Sequence, residues 1–116
     1  MNSTNKTQPS EPLQPWYLYM IQTGYQQLYT GISTDWKRRL REHMQNGPKT
    51  AKALRGKGPL TLKYCVELAN HSVALQTEIW VKKQSRLTKD KIIEGEIILA
   101  VEHTRVDLSD YLQKHV

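Results

Sequence analysis

Residues 16 to 33, WYLYMIQTGYQQLYTGIS, constrain the fold more than any other stretch, because two short aromatic and aliphatic runs flank the polar turn Thr23-Gly24-Tyr25-Gln26. That pattern is a hairpin signal with a turn of a few residues. Period two puts Tyr17, Tyr19 and Ile21 on one face of the first strand, and Gln27, Tyr29 and Gly31 on one face of the second. With the turn centred on Gly24, Tyr19 and Tyr29 become cross-strand neighbours and their phenols share a face. Tyr17 and Tyr25 read as packing or turn residues.

After the hairpin, Ser33, Thr34 and Asp35 offer helix-starting side chains and Gly47-Pro48 a stop, which predicts a helix over about 35–46. Trp36, Leu40 and Met44 form its apolar stripe, with Arg39 and His43 flanking that stripe one turn apart. The segment KTAKALRGKGP is basic and glycine-bearing, and reads as a loop or a single helical turn. Leu60, Leu62, Tyr64 and Val66 alternate with Thr61, Lys63, Cys65 and Glu67, which predicts a third strand with one buried face. Asn70 or Ser72 caps a second helix running to about Ser85, with Val73, Thr77, Trp80 and Val81 inward and Glu78 at the margin. Thr88 to Glu94 predicts a third helix ended by Gly95, and Asp107 to His115 a further short one. The expected architecture is α+β: a small three-stranded antiparallel sheet flanked by helices, in β-β-α-β-α-α order. Residues 1–15 read as a polar, Pro-rich, disordered lead-in, 16–95 as one domain, and 96–116 as a partly helical C-terminal extension.

Composition narrows the function classes. A chain of 116 residues, 38% of them hydrophobic, has room for one core. Its longest aliphatic run, Ile97 to Val101, falls far short of the roughly 20 residues that span a bilayer. The start lacks a secretory pattern, and the single Cys65 forbids an intrachain disulfide, so the expected setting is cytoplasmic or nucleoid-associated, not secreted. Cys65 lies in an alternating run without a basic pair and reads as packing. Between Thr34 and Lys63 there are nine Lys or Arg against two acids, whereas Asp90 to Val116 carries six acids against three bases. A basic surface beside an acidic one is the footprint of a nucleic-acid binder.

The order hairpin, helix, strand, helix, together with Tyr19, Tyr29-Thr30-Gly31, Arg39, His43, "ALRGKGPLTL" and Glu78, resembles the GIY-YIG endonuclease superfamily. The family name records two tripeptides on neighbouring strands, here Tyr17-Leu18-Tyr19 and Tyr29-Thr30-Gly31. The resemblance covers about Trp16 to Gly95 and is nearest the small stand-alone members, an uncharacterised group related to the catalytic domain of junction nucleases. It implies a divalent ion, Mg2+ or Mn2+, held by Glu78. A lone carboxylate completed by waters and substrate phosphate suits magnesium, which gives up water reluctantly. By spacing alone Glu78 also reads as the acidic half of an i,i+4 pair with Lys82.

The same resemblance distributes the remaining roles. Tyr29 matches the tyrosine proposed as general base, and Tyr19 the one that orients it or the attacking water. A free phenol titrates near ~10, so a base of this kind needs cationic help. Arg39 matches the arginine whose planar fork holds oxygens of the scissile phosphate. His43 falls where relatives carry tyrosine or histidine, and serves as proton donor or acceptor. Arg38, Lys49, Lys52, Arg55, Lys57 and Lys82 read as contacts that grip phosphate without reading sequence.

Some departures qualify the match. Tyr17 and Leu18 stand where the first family tripeptide has glycine and isoleucine, Thr30 stands where the second has isoleucine, and no asparagine follows Asn70, although many relatives place one after the second helix. The expected function is metal-dependent hydrolysis of DNA phosphodiester bonds in repair or recombination, structure-directed or non-specific, with branched, nicked or single-stranded DNA as partner. The alternative is a nucleic-acid-binding module that kept the fold and lost turnover. A protein partner docking on the acidic C-terminal segment and targeting the nuclease is a third reading.

Overall fold

The structure, a computed structural model, describes residues 14–109. The predicted lead-in lies almost wholly outside the described residues, as does most of the helix expected over 107–115. Strand β1 (Trp16–Gln22) is followed by β2 (Leu28–Ser33), helix α1 (Trp36–Met44), a 3-10 turn (Lys52–Leu54), β3 (Thr61–Leu68), α2 (His71–Lys82), α3 (Arg86–Glu94) and β4 (Thr104–Arg105). The sheet is antiparallel with strand order β2-β1-β3-β4, so it has four strands rather than the expected three. The extra one is two residues long: Thr104 and Arg105 pair with Glu67 and Val66, and the Val106 N–H donates to the Cys65 carbonyl at 2.9 Å. Both of its side chains are exposed, so no apolar alternation announces it.

The hairpin register also differs from expectation. Tyr19 faces Gly31, and Tyr29 faces Ile21, which places the two phenols on a diagonal. The loop is longer than a turn centred on Gly24 allows. Thr23 donates its N–H to the Gln27 carbonyl, its hydroxyl accepts from Tyr25 and Gln27 N–H groups, and Gln26 adopts a left-handed φ of 66°. Gly24 meets the neighbouring loop so closely that an added Cβ would lie 2.4 Å from the Gly58 carbonyl oxygen.

Helix ends follow their caps. Asp35, Asn70 and Ser85 each accept an N–H from the third residue onward, Arg38, Val73 and Thr88 respectively. Gly95, at φ 85°, closes α3. Helix α1 ends earlier than Gly47, because Asn46 turns left-handed at φ 55° and its side-chain oxygen accepts the Gly56 N–H at 2.8 Å. Its buried residues are Leu40 and His43, whereas Met44 is exposed. In α2 the inward residues are Ala74, Thr77 and Val81; Trp80, expected inside, is 45% exposed because it sits on the helix flank away from the sheet.

Both faces of the sheet are covered. Leu18, Met20, Tyr64, Val66 and Leu68 pack with Ala74, Val81, Ile92 and Leu99. On the other face Tyr19, Ile21, Leu62 and Cys65 pack with Leu40 and Leu54. Strand β3 therefore feeds two cores out of phase. Met20 pairs with Tyr64 but Ile21 with Leu62, so Lys63 is an extra residue in β3, and Leu62 turns to the face opposite Tyr64. The single-faced alternation of Leu60, Leu62, Tyr64 and Val66 is broken at that bulge.

Thr30 lies opposite Met20 on the α2 side, 3% exposed, and its hydroxyl has no hydrogen-bond partner among the described residues. A buried hydroxyl without a partner costs free energy that a methyl of the same shape does not. Thr30→Val is expected to stabilise the fold by about 1 kcal/mol, read as a higher urea midpoint at unchanged m-value; a lower midpoint would show that the hydroxyl has a partner.

Candidate functional site

The second covered face carries the polar residues. Tyr19, at the middle of β1, points toward α1, and its ring lies flat over Gly31, where an added Cβ would stand 2.6 Å from the phenol oxygen. Glycine is required there by the approach of the ring, not by the backbone angle. From α1, His43 meets the same hydroxyl, with Tyr19 Oη and His43 Nε2 3.1 Å apart. Tyr29 completes the cluster: its ring centroid is 5.6 Å from that of His43, edge-on, and 6.4 Å from that of Tyr19.

Arg39 stands one helical turn before His43. Its Nη1 donates to Glu42 Oε1 at 2.9 Å and to the Lys49 carbonyl at 2.7 Å, and its charge acts on both Tyr19 and Tyr29. Glu78 reaches the cluster from α2. Its negative charge is felt at Tyr19, while its carboxylate pairs with Lys82 at 3.3 Å. The i,i+4 pair anticipated from spacing is thus present, and the charge of Glu78 also acts on Tyr19.

Depth sorts these groups. Tyr19 and His43 are buried, at 3% and 1% exposure, whereas Tyr29, Arg39 and Glu78 are half-buried and border solvent. Burial pushes the Tyr19 hydroxyl far above the usual phenol range, with Tyr29 and Glu78 adding to the effect and Arg39 opposing it. Tyr19 therefore remains a neutral phenol and a hydrogen-bonding group. Burial, aided by Arg39 and opposed by Glu42, pulls the His43 imidazole down to about 4, so it is neutral at physiological pH. Sequence reasoning placed His43 among groups that exchange a proton with substrate; in this position it lies behind Tyr19 and Tyr29.

The basic residues anticipated as phosphate contacts surround this cluster unevenly. Arg38 is exposed and 3.7 Å from Glu42, and Lys49 and Lys52 project from the segment after α1. Arg55 is drawn into that segment, donating from Nε to the Thr50 carbonyl and from Nη2 to the Pro48 carbonyl, at 3.2 and 3.1 Å. Lys57 reaches Gln27 Oε1 at 3.5 Å, and Lys82 is held by Glu78. Gly47-Pro48 was read as a helix stop and the residues after it as a basic loop or single helical turn. Thr50, buried at 3%, anchors them, its hydroxyl donating to the Glu42 carbonyl at 2.8 Å and accepting the Gly47 N–H at 2.9 Å. A threonine between lysine and alanine carries no local sign of that role.

Among the described residues no three His, Cys, Asp or Glu side chains converge as a metal cage. The carboxylates acting on the cluster are Glu42, held by Arg39, and Glu78, whose charge reaches Tyr19, together with two phenols. That set fits a largely hydrated Mg2+ or Mn2+ and does not fit a zinc or calcium cage.

The low His43 value has a consequence for stability. An unfolded histidine titrates near ~6.5, so between about 6.5 and 4 the unfolded chain binds the proton that the folded chain refuses. Stability is expected to be full above that window and to fall as pH drops through it, by on the order of 2 to 3 kcal/mol. Urea unfolding at pH 7 and pH 4.5 checks this; His43→Gln should flatten the slope, and an equal slope in both proteins would assign it to other groups.

The chain is similar to a family model and to several known proteins. The model of the GIY-YIG catalytic domain matches residues 15–91. The UPF0213 protein YhbQ of Escherichia coli is 48% identical over 84 residues, 72% of this chain and 82% of the relative. A UPF0213 protein of Klebsiella pneumoniae is 47% identical over 81 residues, 70% of this chain and 74% of that one. The solution NMR structure of a UPF0213 protein from Bacillus halodurans matches with a TM-score of 0.46 and 28% identity, over 76% of this chain and 99% of that chain. With the catalytic-domain model spanning both tyrosine-bearing strands and all three helices up to Lys91, this chain belongs to the GIY-YIG family.

Proposed function

We propose that this protein is a divalent-metal-dependent endonuclease that hydrolyses DNA phosphodiester bonds, directed by DNA structure or non-specific, in repair or recombination. The observation that carries the reading is the grouping of half-buried Tyr29 and Arg39 around buried Tyr19 and His43, with the charge of Glu78 acting on Tyr19. Membership of the GIY-YIG family supports it.

Hydrolysis adds a water oxygen to phosphorus, breaks the bond to the leaving oxygen, and requires a group to take the water proton and positive charge where the phosphoryl oxygens gain negative charge. Tyr29 is the outer phenol of the pair; in its deprotonated form it is the acceptor for that proton, and the leaving oxygen takes a proton from solvent. Arg39, coupled to both phenols, has a planar fork suited to two phosphate oxygens. Here its Nη1 is occupied by Glu42 and the Lys49 carbonyl, so substrate phosphate competes with Glu42 for it. Tyr19 holds the geometry of the pair. Glu78 would hold the ion, with Lys82 giving way as its partner; the bound ion supplies positive charge to the phosphate. Arg38, Lys49, Lys52, Arg55 and Lys57 line the approach as sequence-independent phosphate contacts, so binding should weaken steeply with salt.

Purified protein incubated with branched, single-stranded and duplex DNA is expected to cut only with Mg2+ or Mn2+ and not with chelator. Glu78→Gln and Tyr29→Phe should each lower kcat by a factor of roughly a hundred or more while salt-sensitive binding survives. Binding without cutting by the unaltered protein would favour the inactive module, the reading that the missing asparagine supports. A single cut site on a long duplex would rule out structure-directed or non-specific action.

A further inference from the structure

His43 has both ring nitrogens engaged, and the partners fix which one carries the hydrogen. The Ala51 main-chain N–H points at Nδ1, 3.3 Å away. A backbone N–H can only donate, so Nδ1 must accept, and in the neutral ring the hydrogen then resides on Nε2. Nε2–H in turn donates to the Tyr19 oxygen 3.1 Å away. With the ring nitrogen donating to that oxygen, the Tyr19 hydrogen is not spent on His43 and is free for another acceptor.

The Ala51 N–H is held in place by the turn that precedes it. Thr50 donates its hydroxyl to the Glu42 carbonyl at 2.8 Å, with the His43 carbonyl at 3.3 Å, and accepts the Gly47 N–H at 2.9 Å, while its own N–H donates to the Gly47 carbonyl at 3.0 Å. The carbonyls of Pro48, Lys49 and Thr50 are taken by Arg55, Arg39 and Arg55 in that order. One turn thus faces Arg39 with a carbonyl and His43 with an N–H.

We propose that the Gly47–Ala51 turn, anchored by Thr50, is a positioning device that sets the His43 tautomer and through it aims the Tyr19 hydroxyl hydrogen at the reacting phosphate. Thr50 and Ala51 touch no substrate; they act through His43 and Arg39. This deepens the nuclease reading and rests on it for its kinetic consequence, but the wiring itself can be read without turnover.

The test pairs a spectroscopic measurement with a kinetic one. Two-bond nitrogen–proton NMR correlations of the full-length protein at pH 7 should show His43 with hydrogen on Nε2 and an unprotonated Nδ1. Thr50→Val should bring in the other tautomer and lower kcat roughly tenfold or more with little change in KM, and Thr50→Ser should restore both. Ala51 has φ −55° and ψ 140°, angles that proline adopts, so Ala51→Pro removes the donor N–H and should reproduce the Thr50→Val effect if the latter variant folds poorly. Hydrogen on Nδ1 in the unaltered protein, or a tautomer and kcat unmoved in both Thr50→Val and Ala51→Pro, would overturn the proposal. An unaltered protein with the expected tautomer that cuts no DNA would count against the nuclease reading alone.

Discussion

Strand β1 is hydrogen-bonded along both edges, and four consecutive residues, Leu18 to Ile21, are buried on two opposite faces, so neither side of the sheet can be left to water. The α2 side answers mainly with aliphatic packing, from Ala74, Val81, Ile92 and Leu99. On the α1 side Tyr19 brings a hydroxyl into the interior, and a buried hydroxyl needs a partner. His43 supplies it, and Gly31 provides the space in which the ring can reach that partner. A requirement of packing and a requirement of polarity are met by the same three residues, and the site grows outward from them.

This explains why the cluster is graded in depth. A proton-handling group must touch solvent or substrate, yet its orientation must be fixed by groups that do not. Tyr29, Arg39 and Glu78 sit on three different elements at the border, and Tyr19 and His43 lie beneath them on the central strand and the covering helix. The hairpin tip is tied to both layers: the Gly24 N–H donates to the Lys57 carbonyl at 2.8 Å, and the Arg86 guanidinium at the start of α3 donates to the Gln26 carbonyl. The phenols are therefore set by a frame clamped at its turn as well as along its strands.

Much of this was legible in the chain because the signals were local. Asp35, Asn70 and Gly95 mark helix ends by chemistry that acts within one turn, and the hairpin announces itself by two runs and a polar interval, whereas Ser85, read as the end of the second helix, caps the third. The misreadings came from interactions between distant residues. The Lys63 bulge exists only relative to β1, and β4 is two exposed residues whose strand character comes from the edge of β3. Met44 is exposed because Leu40 and His43, one turn apart, define the inward face of α1, and Met44 points about 100° away from His43. Arg39 and Glu78 were singled out through the family pattern rather than by local signals, and nothing local marked Thr50, whose hydroxyl bonds to carbonyls seven and eight residues earlier.

The bulge at Lys63 also governs how β3 tolerates change. Leu62, Tyr64, Cys65 and Val66 are all buried, and of the residues between Leu62 and Val66 only Lys63 retains partial access to solvent. Polar substitutions that an ordinary two-faced strand absorbs at every second position have nowhere to go in that stretch. Loss or gain of one residue there would exchange the faces of Leu62 and Leu60 with those of their neighbours, shifting the floor beneath Tyr19 while leaving the aliphatic core on the α2 side in register. The strand thus couples two interiors that share a backbone but count their residues differently.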